Sequence, residues 1–358
     1  VRRVRIVTVI GNRPQFVKAA AVSPLLRERH DEVLVHTGQH HDDALSQVFV
    51  DQLGAPQPER QLQIHGGSNT AQTGRMLAAL EPLMEELAPD AVLVYGDTNS
   101  TLAGGLVAAQ RRIPLVHVEA GLRSFDRAMP EELNRVLVDH AADLLLPPTE
   151  QAAEQLRRES VAGRIEVVGD VMIDVAHRTR PAALETGERM LAELGLEPGA
   201  YGLCTMHRAG NVDTPERLTA ALDVLSGIGV PVVLPLHPRT AQRLDDFGLR
   251  ERAERELRLL PPLGYLEFSG LLASARVMLT DSGGVQKEAY VAGVPCITLR
   301  DTTEWTETIT AGWNTLVDLD LTKAREALAT TPPAERPDLY GDGHAAERVV
   351  AAVESLAG

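Results

Sequence analysis

Cysteine is almost missing from this chain. Its 358 residues include two, Cys204 and Cys296. Both fall in apolar runs that read as strands, and neither belongs to a C-x-x-C pair. A disulfide framework and a thiolate metal site are therefore not expected; reduced core thiols in a cytoplasmic protein are. Long apolar runs are missing too. None approaches the roughly 20 residues that span a bilayer, so no membrane partner is expected. The opening "VRRVRIVTVIG" is basic and then apolar, like a secretion signal. Its apolar part is short and alternating, and no small-residue cleavage site follows, so it reads as a first strand. Positive charge is scarce: 35 Lys and Arg against 50 Asp and Glu leave a formal charge of −15. That field repels phosphate-rich partners and argues against nucleic acid. An anionic ligand would have to be held by a few local donors. G-x-G-x-x-G is also missing, which argues against a nicotinamide cofactor.

What is present is alternation. Short β-branched runs at Val4–Ile10, Val33–His36, Ala91–Val94, Leu115–Val118, Leu144–Leu146 and Ile165–Val168 are separated by helical patterns rich in Ala, Leu, Glu and Arg. The pattern predicts a parallel sheet with helices on both faces. A polar, Pro- and Gly-punctuated stretch at 176–200, with one helix inside, interrupts it and reads as a domain connection. Strands then resume at Tyr201–Met206, Val232–Leu236, Arg258–Leu260, Val277–Thr280 and Cys296–Leu299. With 44% apolar residues, two cores of ordinary size are feasible. The expectation is an α/β protein of two doubly wound, Rossmann-like domains, 1–175 and 176–340, facing a central cleft, with a last helical segment at 341–358. Ligands of open parallel sheets bind at the carboxyl ends of the strands.

Those strand ends carry the chemistry. "GNRPQFVK" after the first strand sets Arg13 and Lys18 at a helix start, which reads as anion capture or as an ordinary turn with two solvated cations. "HTGQHHDD" holds His36, His40 and His41; with no second shell in the sequence these read as polar loop residues or ligand contacts, not as a metal site. In "YGDTNST", Asp97 is a candidate acid or an N-cap. In "HVEAGLRSFDRAMPEELNR", Glu119 follows a buried run directly, with Arg123 as its simplest ion-pair partner. Glu131 and Glu132 open a helix, where acids suit the dipole and one of them has a structural reading. Clustered acids also raise one another's pKa, as general acid/base work requires.

The second half offers "TMHRAGN" with His207 and Arg208, and "LHPRT" with His237 and Arg239. "LTDSGGVQKEA" supplies the sharpest signal. Ser282, Gly283 and Gly284 open a helix whose backbone N–H groups suit a nucleotide diphosphate. Glu288, one turn on, is placed to accept from ribose hydroxyls, and Arg300 adds a cation at the end of the next strand.

Taken in order, "GNRPQFVK", "HTGQH", "GDTNSTLAG", "HVEAGLRS", "MPEELNR", "TMHRAGN", "LTDSGGVQKEA" and "LRDTTEW" resemble the non-hydrolysing UDP-N-acetylglucosamine 2-epimerases along nearly the whole chain. The resemblance implies the two-domain fold of many nucleotide-sugar glycosyltransferases, with the last helix packed on the first domain. It implies no metal or NAD, a homodimer, and a role in cell-surface polysaccharide synthesis. It further implies inversion at C2 of UDP-GlcNAc by elimination of UDP to a 2-acetamidoglucal and re-addition. Asp97, Glu119 and Glu131 would be the acid/base and charge-stabilising set. His207, with Arg13 and Lys18, would assist UDP departure, and Arg208 and His237 would contact the substrate. Ser282, Gly283 and Gly284 would hold the diphosphate, Glu288 the ribose, and Leu263 and Phe268 the uracil. Gln39 and His40 match a UDP-GlcNAc activator site of some members. Two departures, Gln15 after Arg13-Pro14 and the short "RSFDRAMPEE" loop, resemble the branch acting on UDP-2,3-diacetamido-2,3-dideoxy-glucuronic acid. A glycosyltransferase of the same architecture, a hydrolysing epimerase and a catalytically silent nucleotide-sugar sensor are the alternatives. The intact carboxylate set argues against the last.

Overall fold

The structure, a computed structural model, describes residues 3–39 and 53–356. It divides into two compact units, 1–178 with 338–358, and 179–337.

In the first unit the described residues form a parallel sheet of β1 (Arg5–Ile10), β2 (Asp31–His36), β3 (Arg60–Gln61), β4 (Ala91–Tyr95), β5 (Leu115–Val118), β6 (Leu144–Leu146) and β7 (Arg164–Ile165), in the order 3-2-1-4-5-6-7. β1, β4, β5 and β6 are apolar on both faces and almost wholly buried. This follows from a parallel sheet covered on both sides, and it explains why they read as continuous Val/Ile/Leu runs. Helices start where the sequence offers caps. Asn12 accepts from the backbone of Gln15 ahead of the helix Arg13–Arg29, with Pro14 in its first turn. Thr98 closes a capping box with Thr101 ahead of the helix Asn99–Arg111. The helix Ala345–Glu354 lies on the helix Arg13–Arg29, with an Arg29–Glu354 ion pair of 3.2 Å. Its first two amides, Ala345 and Ala346, donate to the Asp174 carboxylate. Burial raises the Asp174 carboxyl, against those hydrogen bonds.

The second unit holds a parallel sheet of β8 (Gly202–Thr205), β9 (Val232–Pro235), β10 (Arg258–Leu260), β11 (Val277–Thr280), β12 (Cys296–Thr298) and β13 (Asn314–Leu316), in the order 10-9-8-11-12-13. Apolar clusters cover both of its faces, one around Leu222, Leu234 and Leu279, the other around Leu203, Met278 and Leu271. Both cysteines are buried here as free thiols. Each sheet therefore has the doubly wound parallel order that the alternation predicts, with its switch point between β1 and β4 in one and between β8 and β11 in the other.

The helix expected inside the stretch 176–200 starts before it: Val171–Leu194 is one helix that runs through Pro181. Two edge strands, β3 and β13, carry no strand reading in the sequence; they are two and three residues long.

Candidate active site

Asp97, Glu119 and Glu131 come together at the carboxyl edge of the first sheet. β4 is followed by Gly96, whose φ of +62° turns the chain so that Asp97 leaves the sheet. A Cβ at Gly96 would lie 3.3 Å from Lys18 Nζ and 3.4 Å from Glu119 Oε1. Only a residue without one gives both the left-handed turn and that close approach. One strand over, β5 is followed by Glu119, itself at φ +69°. A left-handed carboxylate residue at a strand end is strained backbone of about 1–3 kcal/mol, the kind retained at working sites. Its N–H is fixed to Leu146 O at 3.0 Å.

The partners are not those of the simplest reading. Glu119 pairs with Lys18 at 2.6 Å, their side chains 12% and 8% exposed. Arg123, the expected partner, turns away to Asp139 and Glu159. Lys18 is thus paired with a carboxylate of its own unit and is not a solvated cation. Asp97 is not the helix cap, because Thr98 is. Its carboxylate instead meets Arg135 at 2.7 Å, while Asn134 Nδ2 donates to its carbonyl. Partial burial raises the Asp97 carboxyl above its ordinary value. Arg135 and Lys18 oppose the rise, and the nearby charges of Glu119 and Glu131 add to it.

The two adjacent glutamates separate cleanly. Glu132 is buried and accepts from Ser124 N, Phe125 N and Arg135 Nε, so it holds the loop and the guanidinium. Glu131 is half-buried in the first turn of the helix Pro130–Ala141. Arg13 is half-buried at the start of its helix. Gln15, conspicuous in the sequence, is buried. It donates to Tyr95 O at 2.7 Å and to Thr101 Oγ1 at 2.9 Å, and accepts from Gly11 N, tying the β1 turn to the β4 turn. Gln39 Oε1 accepts from Ser100 N and Oγ at the start of the helix Asn99–Arg111. His40 and His41 lie outside the described residues. His36 packs against the ring of Phe16. Among the described residues no group of three or more His, Cys, Asp or Glu is arranged to hold a metal.

In the second unit the His207 and His237 rings stack, 4.9 Å between centroids and 26° apart. His237 also acts locally, since its Nδ1 accepts from Arg239 N as the cap of the helix Pro238–Asp246. Arg239 is engaged with Asp213. The loop of His207 and Arg208 is held by Asp281. This fully buried carboxylate accepts from His207 N, Arg208 N and Asn211 Nδ2. Sequence reasoning missed Asp281, although it carries the signal that singled out Glu119: an acid directly after a buried run. It also missed Arg135, the last residue of "MPEELNR".

Ser282 precedes the helix Gly283–Ala292 without capping it through its side chain. A Cβ at Gly283 would collide with the Glu304 carboxylate, so this glycine also makes space for a protein acid. At Gly284 a Cβ would meet nothing. Arg300 pairs with that same Glu304 at 3.2 Å, both nearly buried, so the expected phosphate cation already has an acidic neighbour. Glu288 is half-buried on the helix. Leu263 and Phe268 are partly buried against the cluster of Leu203 and Leu271.

Comparison with known proteins gives the family. Residues 25–354 match the family model of UDP-N-acetylglucosamine 2-epimerase. A UDP-2,3-diacetamido-2,3-dideoxy-D-glucuronate 2-epimerase of Pseudomonas aeruginosa is 46% identical over 358 residues, 96% of this chain and 98% of that one. A UDP-N-acetylglucosamine 2-epimerase of Methanocaldococcus jannaschii is 39% identical over 354 residues, 96% of each chain. A crystal structure of the Methanocaldococcus jannaschii UDP-GlcNAc 2-epimerase, in complex with UDP-GlcNAc and UDP, superposes with a TM-score of 0.91 at 38% identity, covering 99% of this chain and 100% of that one.

Proposed function

We propose, from the premise that the chain belongs to the UDP-N-acetylglucosamine 2-epimerase family, that it is a UDP-sugar 2-epimerase that works by elimination and re-addition of UDP. The observation that carries this is the gathering of Asp97, Glu119 and Glu131 at one sheet edge, with Asp97 raised and Glu119 held by Lys18. Inverting C2 requires a proton to leave one face and another to arrive on the opposite face. When the C2 proton goes to a carboxylate, the C1–O electrons leave with UDP and a glycal remains. Re-addition reverses both steps. Carboxylates in unlike surroundings suit opposite halves of that exchange. Asp97, raised by burial, is suited to hold a proton, and Glu119 stands beside the Lys18 ammonium. In the second unit the Ser282–Gly284 helix start, with Gly284 open, takes the diphosphate, and Glu288 takes the ribose. His207 donates toward the departing phosphate.

The substrate we favour is UDP-2,3-diacetamido-2,3-dideoxy-D-glucuronate. Sequence reasoning put UDP-N-acetylglucosamine first. The 46% identity to the Pseudomonas enzyme, with Gln15 and the short loop after β5, reverses that order. Purified protein should be given each UDP-sugar separately and the C2 epimer followed by NMR. A kcat/KM at least about tenfold higher for the diacetamido-uronate, about 1.4 kcal/mol of discrimination, supports the assignment. The opposite ratio returns it to UDP-N-acetylglucosamine. Free sugar accumulating with UDP would make it a hydrolysing enzyme.

A further inference from the structure

Behind the carboxylates lies a second set of charges that the chemistry above does not use. His117, in β5, has no exposed side-chain surface. Its Nε2 is 2.7 Å from Gly96 O, and its Nδ1 is 2.7 Å from Asp139 Oδ1. A backbone carbonyl can only accept. Asp139 is a carboxylate: burial alone would raise it, but hydrogen bonds from His117 and Arg123 outweigh burial and hold it below its ordinary value. Both ring nitrogens therefore face acceptors, and a neutral imidazole has only one N–H to give.

The other carboxylate oxygen of Asp139 accepts from Gly121 N at 3.1 Å and Arg123 Nη1 at 2.7 Å. Arg123 continues to Glu159 through two bonds of 2.9 and 2.6 Å. His117, Asp139, Arg123 and Glu159 thus form one continuous chain of hydrogen bonds, coming from β5, the helix Pro130–Ala141, the loop after β5 and the cap of the helix Glu150–Arg158. On the far side of Gly96 stand Lys18 and Glu119. A buried imidazolium is tolerated only in such a balanced, fully bonded setting. What the pair grips is informative. Gly96 immediately precedes Asp97, and Gly121 lies two residues after Glu119. Both are left-handed, so the chain leaves the strand direction at each.

We propose that His117 is a buried imidazolium and, with Asp139, the positioning pair that sets the spacing between the turns bearing Asp97 and Glu119. The kinetic part of this rests on the epimerase reading; the protonation part does not. The test starts with unaltered protein carrying 15N-labelled histidine. Nitrogen-detected spectra at neutral pH should show one ring, identified by its loss in His117→Gln or by elimination among the other histidines, with both nitrogens protonated. One unprotonated ring nitrogen at neutral pH overturns the proposal, whatever the enzyme's substrate. Asp139→Asn keeps the shape and removes the charge. It should lower kcat about 10- to 100-fold with KM changed less than about threefold, since the carboxylates are displaced and the nucleotide site is untouched. An unchanged kcat in a folded Asp139→Asn overturns the positioning role. If neither UDP-sugar reacts with the unaltered protein, the epimerase reading fails and the spectra still decide the protonation state.

Discussion

Glu131 and Glu132 stand side by side, and the structure separates their work. Glu132 uses both oxygens on backbone and guanidinium donors inside the protein. Glu132→Gln replaces an acceptor with a donor against those N–H groups. It should cost about 2–4 kcal/mol of stability, read as a lowered Tm in thermal unfolding. Glu131→Gln should leave Tm near the parent value and lower turnover at least about a hundredfold, as Asp97→Asn and Glu119→Gln should, the usual effect of a lost acid/base group. Near-normal turnover in all three would end the assignment of roles. Asp97 and Asp139 respond to pH with opposite signs. Asp97 is raised in the folded state, so its ionised form costs stability above the ordinary aspartate range. That cost is relieved as the pH falls through the folded value. Asp139 is lowered. Its contribution is complete above the ordinary range, near pH 4, and is lost as the pH falls through its folded value. Acid unfolding followed by circular dichroism should therefore begin at higher pH in Asp139→Asn than in the parent protein.

At the scale of elements, the two glycines that open the helix Gly283–Ala292 are not equivalent. Gly283→Ala drives a methyl group into Glu304 and should lower Tm and weaken UDP binding together, because the Arg300–Glu304 pair must move. Gly284→Ala meets nothing and replaces a helical glycine, so Tm should hold or rise by an amount equivalent to about 0.5–1 kcal/mol. Any loss of UDP affinity in calorimetry would then report the ligand and not the fold. Equal loss of Tm in both variants would contradict the Glu304 contact. This is also the scale at which the sequence is most legible. β5, β6, β10 and β11 fall on runs that the sequence marks, each followed directly by a Pro or an acid. β3 and β13 escape this reading because Arg60–Gln61 and Asn314–Leu316 offer no apolar run. The helix expected within 176–200 extends back to Val171. Site residues are legible where chemistry and chain position coincide, at strand ends. Lys18–Glu119, Arg135–Asp97 and His117–Asp139 are not, since 101, 38 and 22 residues separate the partners and only the fold brings them together.

For the whole molecule, the formal charge of −15 opposes an anionic nucleotide at long range, while the local donors act only at contact. Raising the ionic strength from about 0.01 M to about 0.15 M shortens the screening length from about 30 Å to about 8 Å and should speed UDP association in stopped-flow measurements. A protein that drew in its ligand by a basic field would be slowed instead. The parallel sheets put the chemistry-bearing residues of each unit at the carboxyl ends of its strands. These are the acids after β4 and β5 in one unit, and His207, Asp281 and the Ser282–Gly284 turn after β8 and β11 in the other. The account as a whole stands on proton exchange at C2 of a UDP-sugar. The most direct measurement is NMR of that carbon after incubation with each UDP-sugar in deuterated water. The account predicts deuterium at C2 in both epimers, with UDP returned to the sugar and no free hexose. A protein that leaves the C2 proton of both UDP-sugars in place would contradict it.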